Sequence, residues 1–90
     1  MRKQRQSYSG SVEIWVDGVK RFDVAANLTG WIDPSDDAVS WDGRFEGLSH
    51  HNRLELIGHP LELRLSNDNS GMAIMTDSSG VLRGQGPVPF

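Results

Sequence analysis

The feature that most constrains this chain is a two-residue alternation running from Ser11 to Ile32 through a single tight turn. Val12, Ile14 and Val16 alternate with Glu13, Trp15 and Asp17, the period of a strand with one buried face. Asp17-Gly18 suits the positive φ of a two-residue hairpin turn, so the return strand begins at Val19. Along it Phe22, Val24, Ala26, Leu28 and Ile32 share one face, with Arg21, Asp23, Asn27 and Thr29 on the other. A straight strand from Val19 to Ile32, at about 3.3 Å per residue, spans roughly 46 Å. A compact chain of 90 residues is only about 31 Å across. The strand must therefore bend or bulge, with Ala25-Ala26 or Gly30 as the place. Strands that coil in this way turn the corners of small barrels.

The remainder repeats the pattern in shorter pieces. Asp33-Pro34-Ser35-Asp36-Asp37 is a turn by composition. Val39, Trp41, Gly43 and Phe45 then alternate with Ser40, Asp42, Arg44 and Glu46. Ser49 to Asn52 reads as a polar loop, and Arg53 to Ser66 as two short strands parted by Gly58-His59-Pro60. Asn67 to Gly71 and Asp77 to Gly80 are further turns, around Met72, Ile74 and Thr76 and ahead of Val81 to Gly86. Pro87-Val88-Pro89-Phe90 is expected in extended form along an edge. No window carries a capped helical repeat. These readings predict an all-β chain, a small antiparallel barrel or strongly twisted meander of six to seven strands. Residues 9–90 form its single domain, behind a disordered basic tail at residues 1–8.

Charge and composition narrow the function. Of nine basic residues, Arg2, Lys3 and Arg5 stand in the first five positions, leaving six against twelve acids in the rest. An acidic body of this kind is the wrong sign for nucleic acid. No apolar run approaches the roughly 18 residues of a membrane span, and no apolar stretch follows the basic start, so neither membrane insertion nor a signal peptide is expected. The absence of cysteine excludes disulfides, thiolate metal sites and a cysteine nucleophile. A cytoplasmic protein is the expectation.

Few residues offer chemistry. His50, His51 and His59 lack any metal-ligand spacing, and adjacent residues on a strand face opposite ways, so no metal site is predicted. Asp33, Asp36, Asp37 and Asp42 are either turn caps or a source of acid-base carboxylates, and they fail the calcium-loop pattern. Trp31 and Trp15 fall on the nominally polar faces of their strands. Large aromatics placed there cover a partner, line a ligand cavity, or sit in a tightly coiled sheet buried on both faces. Trp41, Gly43 and Arg44 complete the candidate ligand-binding group with Trp31. Gly43 permits close approach of a backbone or a ligand. Arg44 either pairs with Asp33 or Asp42 across strands or anchors a carboxylate or phosphate. Ser70 has no triad partners, and Gly84-x-Gly86 lacks the helix of a dinucleotide site, so no cofactor is expected.

Four elements occur in the order of a known family. They are Val16-Asp17-Gly18, Leu28-Thr29-Gly30-Trp31-Ile32-Asp33-Pro34, Trp41-Asp42-Gly43-Arg44, and Gly84-Gln85-Gly86 with its Pro-rich Phe90 ending. From Tyr8 to Phe90 the chain resembles the small actinobacterial domain of unknown function 4873, which also occurs fused behind flavin-containing monooxygenases. It departs from that family at Asp36-Asp37, where Asp-Gly is usual, and at Val88-Pro89-Phe90, where Pro-Pro-Phe is usual. The resemblance implies an accessory or tailoring role beside flavin-dependent oxidation, often in secondary metabolism, and carries no catalytic residues with it.

Three functions then compete. The first is a binding module that holds a hydrophobic small molecule or docks on a flavin-dependent monooxygenase. The second is a cofactor-free cyclase or isomerase for a polyketide-like substrate, with Asp33, Asp42 and Arg44 as catalytic groups and Trp31 and Trp41 as walls. The third is a homo-oligomer whose Trp faces meet. A barrel of six or seven strands is narrow for an internal cavity, which places any site at a mouth or between subunits.

Overall fold

A computed structural model describes residues 2–90. The predicted barrel is present, with the strand order β1-β2-β3-β6-β5-β4 closing on itself. The strands are β1 (Lys3–Val16), β2 (Val19–Ile32), β3 (Val39–Glu46), β4 (Leu61–Leu65), β5 (Ser70–Ile74) and β6 (Val81–Gln85), all paired antiparallel. One helix, α1 (His50–Leu56), crosses between β3 and β4. It is too short to cross a membrane.

The long hairpin coils as its length requires, since the molecule measures only 39 Å along its longest axis. Two register shifts let it do so. On β1, Gln4 and Gln6 oppose Trp31 and Gly30, which leaves Arg5 as the extra residue beside the expected Gly30 corner. On β2, Phe22 and Lys20 oppose Ile14 and Trp15, which leaves Arg21 extra. The pairing runs without interruption through Ala25-Ala26, so of the two expected places it is Gly30 that has a bulge beside it.

Two other expectations are corrected. The basic segment is not a disordered tail, because Lys3 to Tyr8 continue β1, paired with Ile32 to Leu28 around the bulge at Arg5. Backbone pairing with β2 supplies the order that its polar side chains do not advertise. Arg53 to Leu56 is not a strand but the second half of α1. Ser49 caps that helix by accepting the amide of Asn52 at 3.2 Å. Leu54 and Leu56 imitate strand alternation, yet Leu54 is 51% exposed and Leu56 fully buried. Seven residues are too few for a 3.6-residue period to show itself. Gly58, at φ 80, ends the helix and donates its amide to the Met75 carbonyl at 3.0 Å.

The barrel is filled. Its core holds Ile14, Leu28, Leu61, Leu63, Met75 and Leu82 among others, and no charged or polar residue is classed as buried with them among the described residues. One end is covered by α1 through Leu56 and by the preceding Leu48. At the other end the segment after β6 folds back. Pro89 lies against Gly71 so closely that a methyl there would meet the proline ring at 2.8 Å. Phe90 meets Trp41 edge to face at 6.1 Å and Tyr8 at 6.3 Å.

Candidate functional site

Alternation on β3 turns Trp41, Gly43 and Phe45 inward and Ser40, Asp42 and Arg44 outward. Trp41 is buried, with its indole lying over Gly84 of β6, where any side chain would overlap it. Gly43 performs the closer-approach role toward a backbone, since a Cβ there would collide with the Asn27 carbonyl and Leu28 on β2. It offers no space to a ligand.

Outside the barrel, Trp31 donates its Nε1–H to Asp42 Oδ1 at 3.1 Å. Arg2 lies over the Trp31 ring at 4.6 Å and pairs with Asp42 Oδ2 at 3.5 Å. The outer-face tryptophan is thus clamped between an arginine and a carboxylate. Trp15 is held in the same manner, with Arg64 stacked on it at 3.7 Å and Glu13 accepting its Nε1–H at 3.0 Å.

The remaining predicted groups do not converge. Arg44 is exposed and pairs with neither Asp33 nor Asp42, whose partner is Arg2. Asp33 stands in the β2–β3 turn, where its Oδ1 accepts the Ser35 amide at 2.9 Å and the Ser35 hydroxyl at 2.7 Å. These bonds hold its carboxyl below the usual carboxylate range, which makes it a poor proton carrier near neutrality. Asp36 caps Ala38 in the same turn. Asp33 and Asp36 are thus turn caps, while Asp42 stands apart on β3 with Trp31 and Arg2. His50, His51 and His59 are exposed, and no group of three or more potential ligands could hold a metal among the described residues.

Two grooves lie on the outer wall. The first, about 570 Å³, lies over β1, β2 and β4 and is lined by Glu13, Asp23, Glu62, Arg64 and Asp68 among others. Most of its charges are internally matched. Lys20 bridges Asp23 at 2.9 Å and Glu13 at 3.5 Å, and Arg64 Nε donates to Glu62 at 2.7 Å. The hydrogen bond that Lys20 donates to Asp23 is the main reason its amine is held above its ordinary value.

The second groove, about 530 Å³, opens at the seam between β3 and β6. Their ladder stops at Asp42 opposite Arg83, so Ser40-Trp41 and Gly84-Gln85 lie unpaired across from each other. The groove collects Arg2 from just ahead of β1, Trp41 and Asp42 from β3 and Arg83 from β6, with Ile74 from β5. At this seam one buried polar atom has no partner, the Nε1–H of Trp41. Two of its residues, Trp41 and Asp42, are legible as candidates from sequence. Arg2 and Arg83 are not, because nothing local marks two arginines so far apart as neighbours. Gly84 carries a signal only in retrospect, as a strand position that must lack a side chain.

Compared with protein-family models, curated proteins and solved structures, the chain has no match.

Proposed function

We propose that this barrel is a binding and accessory domain that holds a hydrophobic small molecule in the seam groove, in service of flavin-dependent or natural-product tailoring chemistry. The observation that carries the reading is the groove itself. It is an outer-wall site of small-molecule size on a barrel whose interior is filled, and it borders the buried Trp41, whose Nε1–H is left unmet. The tailoring context rests on the motif resemblance, as does docking on a flavin-dependent monooxygenase. Self-association through the outer wall is the competing use of the same surface. The cyclase reading draws no support from the geometry, because Asp33, Asp42 and Arg44 share no cavity.

Native mass spectrometry of the purified protein tests the proposal. A retained small-molecule adduct on the monomer is the expected result. A bare monomer that stays bare after incubation with apolar metabolite extracts overturns it, and a bare dimer favours self-association instead.

A further inference from the structure

Strand β1 leaves a long hydrogen-bonding edge open. Its pairing with β4 covers only Val12 to Trp15, whereas its pairing with β2 begins at Lys3. Tyr8 marks where β1 and β4 part. Its hydroxyl donates to the Ser11 carbonyl at 2.7 Å and accepts the Ser66 amide at 3.0 Å, bridging the two backbones. Upstream, Lys3 to Ser9 have β2 on one side and no backbone partner on the other among the described residues. Alternate amides and carbonyls of this run are therefore free to pair. The other open run, Val19 to Val24 of β2, is tied to α1 through Arg21 and Glu55 at 3.4 Å.

Charge selects what can add to the β1 edge. Lys3 and Arg5 are exposed and form no ion pair among the described residues, and no acid stands between Arg2 and Val12. A second copy would bring another pair of cations to the same short edge. Cations and a bulge, here at Arg5, are the devices by which edges refuse such pairing. An acidic strand meets opposite charge instead. Ser7 and Ser9 are small and exposed, which leaves room for the side chains of an added strand. Resting on the accessory-domain reading, we propose that β1 is its docking edge, taking an extended acidic segment of a partner protein along Lys3 to Ser9. The segment's backbone bonds to the free amides and carbonyls, and its carboxylates face Lys3 and Arg5.

A blocked heptapeptide alternating glutamate with threonine, titrated against the whole chain and followed by backbone amide NMR, tests this. Saturable shifts are expected from Lys3 to Ser9, with none from Val19 to Val24 on the other open run. N-methylation of one alternating set of the peptide's amides should weaken binding roughly tenfold, and of the other set should not, because a strand pairs through one edge. Lys3→Glu combined with Arg5→Glu should weaken the glutamate peptide roughly tenfold and favour a lysine counterpart. Both side chains are exposed, so this variant keeps the fold. Full binding by both methylated forms reduces the contact to charge attraction and overturns strand addition. Equal binding of the glutamate and lysine peptides to the unaltered chain overturns the acidic partner. A concentration-dependent dimer that protects the same amides without peptide makes a second copy the occupant and overturns the proposal. Amides of Lys3 to Ser9 that no peptide moves overturn it too. In that case a small-molecule adduct in the mass spectrum leaves the accessory-domain reading standing, and bare protein in both experiments takes it down as well.

Discussion

The two ends of the barrel are closed by different physics. At the helix end, α1 buries Leu56 completely, and polar bonds tie the loops together. Gly58 donates to Met75 and Phe45 to Gly80, each at 3.0 Å, while Arg53 donates to the Leu48 carbonyl at 2.9 Å. At the other end Pro89 and Phe90 lie on Gly71, Tyr8 and Trp41 through apolar contact. Among the described residues, none of 86–90 adds a backbone hydrogen bond to the barrel outside the strands. Burial without directional bonds opens at lower free energy than burial locked by them. The bonded end is architecture. The apolar end sits beside the seam groove, where an unsatisfied donor is stored, and Trp41 belongs to both.

This contrast can be broken or sharpened by experiment. Leu56→Ala should have the largest effect, a loss of about 4 kcal/mol in chemical denaturation, because a fully buried leucine leaves a cavity the helix cannot fill. A loss below about 1 kcal/mol would show that α1 is not the lock at its end. Phe90→Ala should cost about 2 kcal/mol, less than a fully buried phenylalanine, since Phe90 is only half-buried. In the same variant the Trp41 indole resonance should move while the Gly58 amide keeps its protection from exchange. If both change together, the two ends form one cooperative unit and the contrast fails.

Arg2→Gln removes the stacking on Trp31 and the pair with Asp42, but Arg2 is largely exposed. Stability should change by less than about 0.5 kcal/mol, while the Trp31 indole resonance shifts. The smallest effect is electrostatic and tests a feature the two ends share. Ser79 holds Asp77 in the β5–β6 turn at the helix end as Ser35 holds Asp33 at the other. Both carboxyls are pulled below their ordinary value, chiefly by the serine side chain at Asp77 and by the serine amide at Asp33. A lowered folded-state pKa contributes stability above the unfolded value, which is lost as pH falls through the folded one. Carboxyl NMR should therefore find both midpoints below the ordinary aspartate value, with Ser35→Ala raising the Asp33 midpoint and leaving Asp77 alone.

The contrast also marks what could be read without coordinates. The inward faces of β1, β2 and β3 were legible because a strand's period of two writes burial directly into residue order. The outer-face placement of Trp15 and Trp31 followed from the same parity. Their role did not, because it depends on Arg64 arriving from β4 and Arg2 from just ahead of β1. Helix α1 was hidden by its brevity, with Leu54 and Leu56 spaced as a strand would space them. The order of Lys3 to Tyr8 was hidden because a polar segment carries no apolar pattern, although its backbone pairs as well as any other.

Local residue order thus determined the strands, the Asp17-Gly18 hairpin, the capped turns and the need for a coiled sheet, all consequences of neighbouring side chains and backbone preference. Tertiary structure alone decided that β3 and β6 part beyond Asp42 and Arg83, that Trp41 rests on Gly84, and that Phe90 closes the mouth beside it. Those facts join residues from distant positions, and the hydrophobic effect that brings them together depends on area removed from water rather than on order in the chain.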